Sequence, residues 1–578
     1  MIPGPVSRRN ALALAIVLVA AALRFAGLGF GLPMAEARPD EMTIAFQAMK
    51  FGTGDLNPHS FNYPTLHKYV MFGLFGLHYV AGRLTGEFAG KDDFLRAFFD
   101  GAVDFRLWMR VWSATMGTVG VALLLRAPGG LASAALFAVS MLSVRDSHFG
   151  VTDTTMVTLT IATLVVADRA VRTGRTRDLL VAAVLGGLAT STKYTAGLLA
   201  VPLAIASFTG AGTSLRAGAA WRMRRLFGAG GVMILAFVLG SPYVILDFPT
   251  FWRDFQYEAG HLDQGQYVDV GGGWVQHLRT LVLTQGVGFV ALSFFAVVYW
   301  VVGAGKRDDR ARGLLWLSFP FVYYLAIGRG ETAFFRYALP LIPFLAVALG
   351  WLLLELGPLG LVIGAACGLP GLIGALQVDR LFLAGDTRDA MGQWIEANVL
   401  SDSVIVHAGA YTGAPMLQRN VANQTREYDA KAGRADSAGF RKPDELKWYN
   451  ARRPMYDLLF IRKPGIDFAS QVDVLDLVPS GVVHPRLAQT VWLELEAYPL
   501  IFYASVPEEL RAFATTCALA HSEHATPNRA AADPDDLDQQ DALYLPAAGF
   551  GAYQRMGPNL DLYRCDLQVA RALPEIVP

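Results

Sequence analysis

Residues 337–378 read YALPLIPFLAVALGWLLLELGPLGLVIGAACGLPGLIGALQV and contain a single charged residue, Glu355. A helix needs about 20 apolar residues to cross a bilayer, and the runs 337–356 and 358–378 both approach that length. Similar apolar windows occur earlier, at 10–30, 105–125, 131–149, 154–171, 179–192, 194–209, 227–246, 278–303 and 313–328. The pattern predicts a polytopic α-helical membrane protein with about 11 transmembrane helices.

The overall composition agrees with this interpretation and excludes several other classes. Of the 578 residues, 53% are hydrophobic and 17% are charged, whereas soluble domains carry about 25% charged residues. The 49 basic and 49 acidic residues cancel, so no basic field for nucleic acid exists. A disordered chain would be less hydrophobic and carry more net charge, and three cysteines do not make a disulfide scaffold.

The sequence changes character after about residue 380. Charged residues become frequent, apolar runs shorten to strand length, and Asp/Pro/Ala-rich stretches such as 524–538 appear. Short apolar runs at 403–407 and 456–461 predict buried strands, beside a helical pattern at 387–399. We therefore expect a membrane domain over 1–380 and one soluble α/β domain over 381–578.

Basic residues predict which loops are cytoplasmic, since cytoplasmic loops carry an excess of Lys and Arg. They form four groups: Arg8 and Arg9; Arg169, Arg172, Arg175 and Arg177; Arg216, Arg222, Arg224 and Arg225; and Lys306, Arg307, Arg310 and Arg312. The first window is interpreted as an uncleaved anchor rather than a cleaved signal, because ten further windows follow. The N-terminus is then cytoplasmic and the C-terminal domain extracytoplasmic, in a plasma (inner) membrane protein.

This topology depends on the short apolar segment 66–82, which carries His67, Lys68 and His78. The four basic groups fall on one side only if this segment does not fully cross the membrane. We expect an interfacial or re-entrant helix here. The alternative is a missed or extra span elsewhere, for example among the short windows that flank Lys193.

The first outer loop is rich in side chains suited to acid–base chemistry. Asp40 and Glu41 are adjacent carboxylates at a predicted helix start, where Asp40 could accept backbone N–H bonds. The polar run that follows includes His59 and Tyr63. The alternative is a capped interfacial helix followed by a polar turn.

Two further ionisable groups lie at predicted outer ends of membrane segments, where such groups are costly and often functional. Asp153 follows His148 in the run SHFGVTD, and a helix cap would equally explain it. Lys193 lies between two apolar windows. It could bind the phosphate of a lipid-linked substrate or extend to lipid phosphates at the membrane surface.

The last outer hairpin, GRGETAFFRYALPLIP, presents Arg336 and Tyr337 before a proline-interrupted helix. A guanidinium can bind phosphate oxygens bidentately. The alternative is that Arg336 pairs with Glu331.

Five motifs together resemble the GT-C membrane glycosyltransferases. They are RPDE at 38–41, GDLNPHSFNYPTL at 54–66, HFGVTD at 148–153, TKY at 192–194 and FRYALPLIP at 335–343. The chain is most similar to the phospholipid-carrier-dependent branch, which includes protein O-mannosyltransferases and the lipid A aminoarabinose transferase. The resemblance covers the whole membrane part and implies a GT-C fold.

The resemblance implies transfer of a sugar from a polyprenyl-phosphate donor to a glycan, lipid or protein acceptor outside the cell. Asp40 would be the catalytic carboxylate, Glu41 its companion and Asp153 the second acidic position. Lys193 and Arg336 would contact the donor phosphate, and Tyr337, His59, Tyr63 and His148 are further candidates for substrate binding. Thr43 stands where the aminoarabinose transferase has a basic residue, which leaves the donor head group open.

The expected chemistry matches these residue types. An inverting displacement needs one carboxylate to take the acceptor proton and cations to stabilise the departing phosphate. No GxxxxGK[ST] nucleotide loop occurs. Some relatives use a divalent metal such as Mg or Mn and others none; Asp40, Glu41 and Asp153 could hold one. The alternative function is a transporter or flippase for a lipid-linked intermediate.

The outer domain contributes aromatic residues and two cysteines. Trp394, Trp448, Tyr449, Trp492, Tyr503 and Tyr553 suit either sugar stacking or a core, and we favour a core; His407 is expected to be structural. A disulfide between Cys517 and Cys565 is plausible in an oxidising compartment, and Cys367 is expected to fill apolar space in the membrane.

Overall fold

The structure is a computed structural model that describes residues 5–34, 37–99, 102–209, 218–266, 268–303, 307–425, 454–461, 474–475, 490–500, 502, 506, 508–541 and 543–565. Of the residues named above, Arg216, Lys306, Trp448, Tyr449 and Tyr503 lie outside these ranges. The chain divides into two compact units. The first contains Met1–Leu28, Thr43–His78 and Arg106–Asp379, and the second contains Gly29–Met42, Tyr79–Phe105 and Arg380–Pro578.

The residues up to 383 form helices almost throughout. In chain order these are α1 (Pro5–Phe25), α2 (Pro39–Lys50), α3 (Leu66–Thr85), α4 (Lys91–Phe99), α5 (Val103–Leu124), α6 (Leu131–Ala138), α7 (Met141–Ser147), α8 (Thr152–Thr173), α9 (Thr176–Thr190), α10 (Ala200–Phe208), α11 (Ala219–Gly240), α12 (Tyr243–Leu246), α13 (Phe248–Gln264), α14 (Gly273–Gln285), α15 (Val287–Val298), α16 (Arg307–Gly328), α17 (Ile342–Glu355) and α18 (Pro358–Leu383). Short 3₁₀ helices at Tyr194–Leu199 and Phe335–Leu341 precede α10 and α17.

Six helical segments within the described residues are long and apolar enough to span a membrane. They are Val103–Leu124, Thr152–Thr173, Ala219–Gly240, Arg310–Gly328, Phe335–Glu355 and Pro358–Leu383. The pair α14 and α15 would add a seventh, although it is bent by 119°. The predicted polytopic helical membrane protein is confirmed, whereas the count of about 11 spans stays a prediction.

Several predicted windows are divided by local breaks, which explains why fewer helices reach full length. The window 131–149 is broken where the side chain of Ser140 accepts a bond from Ser143 N and starts α7. The window 278–303 is broken at Gly286, whose φ of 84° is unfavourable for other residues. The segment predicted to lie in the interface forms the 20-residue α3, which is not among the six spans; whether it crosses stays a prediction.

Helices α8, α9 and α11 pack together in the first unit, and α9 approaches α11 unusually closely. A Cβ on Gly187 would lie 2.3 Å from the carbonyl oxygen of Met233. Only glycine permits this separation, which follows the small-residue packing typical of membrane helices. The approach places the end of α9, and with it Lys193, beside the end of α11.

The C-terminal residues form the predicted α/β domain around a mixed seven-stranded sheet. Its strands are β1 (Val404–Ala408), β2 (Gln418–Arg419), β3 (Met455–Ile461), β4 (Val474–Leu475), β5 (Val491–Ala497), β6 (Ala518–Glu523) and β7 (Asn559–Cys565). The order is β2-β3-β1-β5-β7-β6, and β4 also pairs with β3. The pairs β1–β3 and β1–β5 are parallel, and β5–β7 and β6–β7 are antiparallel. Two of the predicted strands correspond to β1 and β3 within one residue.

Within the described residues, one helix packs on each face of this sheet. Met391 and Ile395 of α19 (Thr387–Asn398) contact Ile405, Leu458 and Leu560. On the opposite face, Leu510 and Phe513 of α20 (Glu508–Ala514) pack with apolar side chains of β1, β3 and β5. Trp394 and Trp492 pack against the first of these clusters and Tyr553 is buried, as expected for core residues.

A disulfide joins Cys517 to Cys565. In the antiparallel pairing of β6 with β7, Ala518 lies opposite Arg564, so Cys517 comes opposite Cys565 at the same end of both strands. The predicted bridge is therefore present in the structure, and Cys367 is a buried free thiol.

His407 is buried at the end of β1 between two glutamates. Its Nδ1 lies 3.3 Å from Oε1 of Glu494, and its Nε2 donates to the carbonyl of Ala410 at 2.8 Å. Burial opposes protonation, but hydrogen bonds and charges of Glu494 and Glu496 outweigh it and raise the pKa of His407 to about 10. A cationic ring supplies both N–H donors that this position uses. These contacts agree with the structural role expected for His407, which stays a prediction.

Candidate active site

Lys193 and Asp153 meet in the first unit. The Lys193 Nζ lies 2.6 Å from Oδ1 of Asp153, and both side chains are largely buried, with exposures of 12% and 4%. Asp153 lies in the first turn of α8, behind the cap residue Val151. The cap expected at Thr152 and Asp153 is therefore one residue earlier, and the Asp153 carboxylate binds a lysine from another segment.

The backbone around Lys193 is held by a set of local hydrogen bonds. Lys193 is extended between α9 and the following 3₁₀ helix, and its N–H donates to the carbonyl of Ala189. Two residues earlier, the hydroxyls of Ser191 and Ser241 lie 2.6 Å apart, which joins the ends of α9 and α11. The three residues of irregular backbone at 191–193 thus direct the ammonium toward α8 rather than along a continuous helix.

Tyr337 covers the same ammonium. Its ring centroid lies 5.0 Å from the Lys193 Nζ, within the range of a cation–π interaction. The hydroxyl of Tyr323 on α16 donates to the Tyr337 carbonyl at 3.1 Å, and the ring of His277 on α14 lies 6.4 Å away. The structure therefore joins Asp153, Lys193 and Tyr337 from three distant parts of the sequence.

Three site neighbours were not among the residues predicted from the sequence. The Asp153 charge acts on both the buried ring of His67 and the phenol of Tyr323, while His277 is buried beside Tyr337. Two of the three are histidines inside apolar segments. A histidine inside an apolar segment is a polar ring where burial is costly. This feature of the sequence could have identified both histidines.

Arg336 is also buried, with 8% of its surface exposed. Its guanidinium carbon lies 4.4 Å from the ring centroid of Phe334. Because Arg336 and Tyr337 are adjacent in one 3₁₀ helix, this second cation belongs to the same segment that covers Lys193.

His148 occupies a different kind of environment. Its Nδ1 lies 2.8 Å from the carbonyl oxygen of Val144, and its Nε2 lies 2.7 Å from that of Ala26. Asp379 lies 3.7 Å from the same Nε2. The two ring nitrogens of His148 face these carbonyl oxygens and so join α7 to the end of α1. This is a packing contact, and substrate binding by His148 stays a prediction.

His59 and Tyr63 lie in the polar loop before α3. His59 is exposed, and its Nε2 lies 2.7 Å from Oδ2 of Asp55. This hydrogen bond is the main cause that lowers the pKa of Asp55. Tyr63 is half-buried. A role in substrate binding stays a prediction for both residues.

Asp40 and Glu41 lie in the second unit, in the first turn of α2. The helix begins at Pro39, so Asp40 lies inside the first turn rather than at the expected cap position. Carboxylates in this turn are stabilised by the helix dipole. Glu41 is fully buried, whereas the Asp40 side chain is 34% exposed and lies 3.3 Å from Nη2 of Arg38. Of the two carboxylates, Asp40 is the one that solvent reaches.

The three carboxylates proposed as metal ligands were Asp40, Glu41 and Asp153. Two of them already contact cationic side chains, Asp40 with Arg38 and Asp153 with Lys193. A divalent ion at either carboxylate would compete with that cation, so the donor set at Asp153 does not favour a metal. We therefore derive no catalytic step from a metal ion.

An apolar groove is formed by α14, α15, α16 and the segment around α17. Its lining includes Leu281, Tyr324, Leu341 and Phe344. Tyr324 is adjacent in sequence to Tyr323, and Leu341 ends the 3₁₀ helix that carries Arg336 and Tyr337. The groove thus shares α16 and this 3₁₀ helix with the neighbours of Lys193.

Comparison with known proteins gives one sequence match. Residues 107–245 match the family described as dolichyl-phosphate-mannose-protein mannosyltransferase. The matched region contains both Asp153 and Lys193. No curated protein sequence matches the chain.

The solved structures that are similar over nearly the whole chain include two of one protein. The crystal structure of ArnT from Cupriavidus metallidurans bound to undecaprenyl phosphate has a TM-score of 0.47 and 13% identity, covering 97% of this chain and 98% of that one. The apo state of the same protein has a TM-score of 0.45 and 14% identity, and covers 98% of each chain.

The sequence match agrees with the resemblance inferred from the five motifs, and the apolar helices agree with an integral membrane protein. Over residues 107–245 the chain is therefore similar to a family of membrane glycosyltransferases, as the five motifs predicted.

Proposed function

We propose that this enzyme transfers a sugar from a polyprenyl-phosphate-linked donor to an acceptor at the extracytoplasmic face of the plasma membrane. The observation that carries the proposal is the largely buried Lys193 ammonium, which Asp153 holds at 2.6 Å and the Tyr337 ring covers. The matched family is named for an isoprenoid-phosphate donor, dolichyl phosphate mannose. That name supports the same donor class here.

Lys193 has the chemistry to bind the phosphate of such a donor. An ammonium has three N–H donors, and one suffices for the contact with Asp153. The carboxylate would orient Lys193 toward the phosphate and partly balance its charge before the donor binds. Arg336, from the segment that carries Tyr337, would supply a second, bidentate cation. Both would stabilise the negative charge that develops on the departing lipid phosphate.

The apolar groove supports a lipid-linked donor. Its lining of Leu, Phe, Val and Pro with one Tyr suits an isoprenoid chain. Because the groove shares segments with the cation site, one ligand with an apolar tail and a phosphate would match both.

The acid–base role is assigned to Asp40, with Glu41 as its buried companion. An inverting displacement at the anomeric carbon forms one bond to the acceptor oxygen and breaks one bond to the lipid phosphate oxygen. The acceptor must lose a proton as this happens, and a carboxylate can take it. The 34% exposure of the Asp40 side chain supports this role over the fully buried Glu41.

Charge pairs at the two ends of α8 support the proposed orientation. At one end Asp153 pairs with Lys193. Toward the other, Asp168 accepts from Nε and Nη2 of Arg312 at 2.7 and 3.2 Å and also pairs with Arg172. Arg312 and Arg172 belong to two groups of basic residues predicted to be cytoplasmic. We therefore assign the Asp168 end to the cytoplasm, the Asp153 end to the outside, and a cytoplasmic position to the N-terminus.

The test is a purified-protein assay with a panel of isoprenoid-phosphate sugars and, in parallel, the corresponding sugar nucleotides. We expect the enzyme to consume one of the lipid-linked donors and release the polyprenyl phosphate. The variant Lys193→Ala serves as the site control and should consume the same donor far more slowly. Consumption of a sugar nucleotide with all lipid-linked donors untouched would contradict the proposal.

A further inference from the structure

Arg38, directly before α2, joins two carboxylates that are far apart in sequence. Its Nη1 donates to both Oδ1 and Oδ2 of Asp541 at 2.9 Å, across 503 residues of sequence. Its Nη2 lies 3.3 Å from Oδ2 of Asp40. All three residues belong to the second compact unit. One guanidinium therefore connects the candidate catalytic carboxylate to the C-terminal part of the chain.

The environment of Asp541 is well ordered by local bonds. Its backbone N–H and that of Gln540 both donate to Oδ1 of Asp538 at 3.3 Å. Three residues later, the buried Tyr544 donates to Glu496 of β5. Asp541 is thus part of a turn that is attached to the central sheet, and its side chain is only 13% exposed.

Burial makes this contact energetically significant. The Arg38 side chain is 2% exposed, and a buried guanidinium without a counter-charge is strongly unfavourable. The carboxylate of Asp541 supplies a counter-charge, and both of its oxygens accept from Nη1. The other terminal nitrogen of the same guanidinium, Nη2, contacts Asp40, so the position of Arg38 relative to Asp541 affects its contact with Asp40.

We propose that Asp541 is a positioning residue for sugar transfer, which acts through Arg38 to hold the Asp40 carboxylate in its reactive orientation. The C-terminal domain then contributes directly to catalysis through Asp541. This inference rests on the proposed function, in which Asp40 takes the acceptor proton.

The experiment compares kcat and donor KM of the full-length enzyme for Asp541→Asn, Arg38→Gln and the double variant. We expect Asp541→Asn to lower kcat by roughly 10²-fold, the cost of a catalytic group displaced by about 1 Å. Donor KM should stay within about twofold, because donor binding is assigned to other residues. Since the two residues act as one unit, the double variant should lose no more than the worse single variant.

The matched control is Asp561→Asn, which removes a carboxylate that binds Ser522 and His524 in the same unit; its kcat should match wild type. Wild-type kcat in Asp541→Asn, or losses that multiply in the double variant, would overturn the proposal. If Asp541→Asn does not fold because it removes one of the two carboxylates that contact the buried Arg38, the kcat of the double variant tests the proposal instead. The double variant removes both charges, and wild-type kcat there would also overturn the proposal.

The outcome separates this inference from the proposed function. Loss of activity in Asp40→Asn together with normal kcat in Asp541→Asn would refute only the positioning role. Normal activity in Asp40→Asn would instead refute the assignment of the base.

Discussion

The ammonium of Lys193 lies 2.6 Å from the carboxylate of Asp153, although 40 residues separate them in sequence. The pair joins the first turn of α8 to the irregular backbone that follows α9. A lysine and an aspartate buried together are retained only where their geometry is good, because desolvation of both charges opposes their attraction. A well-aligned buried pair of this kind is thus informative about function.

Removing one member of this pair should destabilise the protein more than removing both. The variant Asp153→Asn leaves the ammonium in a buried site without its counter-charge, which costs about 3–5 kcal/mol. The double variant Asp153→Leu/Lys193→Met removes both charges and should unfold closer to wild type. Thermal unfolding in detergent measures this order. Equal stabilities for Asp153→Asn and the double variant would contradict a coupled pair.

Lys193 should act on donor binding. In Lys193→Ala we expect the donor KM to rise by about 10-fold or more, because a hydrogen bond to a charged group is lost, while the acceptor KM changes little. Steady-state kinetics with each substrate varied in turn measures this. The control is Arg253→Ala, which removes a cation whose side chain is 71% exposed. An unchanged donor KM in Lys193→Ala would remove this residue from the site.

Asp40 should be essential for catalysis and dispensable for folding. We expect Asp40→Asn to lower kcat by about 10²- to 10⁴-fold, the usual contribution of a general base, with normal expression and unfolding temperature. Asp92→Asn changes an exposed carboxylate at the start of α4 and is the matched control. Near-normal turnover in Asp40→Asn would exclude Asp40 as the base.

The C-terminal domain should become less stable as the pH rises above neutrality. Because the pKa of His407 is raised to about 10, its contribution is full below the unfolded value of about 6.5 and is lost as the pH approaches 10. Burial also raises the pKa of Glu494, which acts in the same direction. Unfolding of the full-length protein, followed by tryptophan fluorescence between pH 6 and 10, measures the effect.

The variant His407→Gln provides the control for this titration. It keeps a hydrogen-bonding side chain but cannot titrate, so its unfolding temperature should be lower than wild type at neutral pH and depend less on pH. A wild-type pH dependence in His407→Gln would assign the titration to other groups.

The disulfide should be detectable by thiol counting. The chain has three cysteines, of which Cys517 and Cys565 are bridged. Denatured protein should therefore present one reactive thiol, from Cys367, and three after reduction. Loss of the bridge, which spans 48 residues, should cost about 2–5 kcal/mol of stability. Three thiols without reduction would exclude both the bridge and an oxidising location for this domain.

The separation of membrane and soluble parts could be predicted because it depends on local patterns. The apolar windows and the strand-like runs near residues 404 and 456 are visible within short stretches of sequence. The number of spans could not be derived in the same way. Breaks at Ser140 and Gly286 divide apolar windows, and such breaks depend on hydrogen bonds and packing that composition does not describe.

The sequence predicted the residue types of the candidate site and some of the residues that form it. Asp153, Lys193 and Tyr337 were identified as unusual polar groups in apolar surroundings, and the structure joins them. His67 and Tyr323 were not identified, because their relation to Asp153 exists only once α3, α8 and α16 are packed. The two carboxylates Asp40 and Glu41 differ in exposure, a distinction that their adjacent positions in sequence could not reveal.

The sequence by itself determined that this chain is a membrane protein with an α/β domain, since hydrophobicity and alternation act over one helix or one strand. Only the tertiary structure decided which charge meets which. Because the chain has 49 basic and 49 acidic residues, residue type alone does not determine which of them pair with each other. The pairs Lys193–Asp153, Arg312–Asp168 and Arg38–Asp541 span 40, 144 and 503 residues. Their formation depends on the packing that brings distant segments together and excludes water from between them.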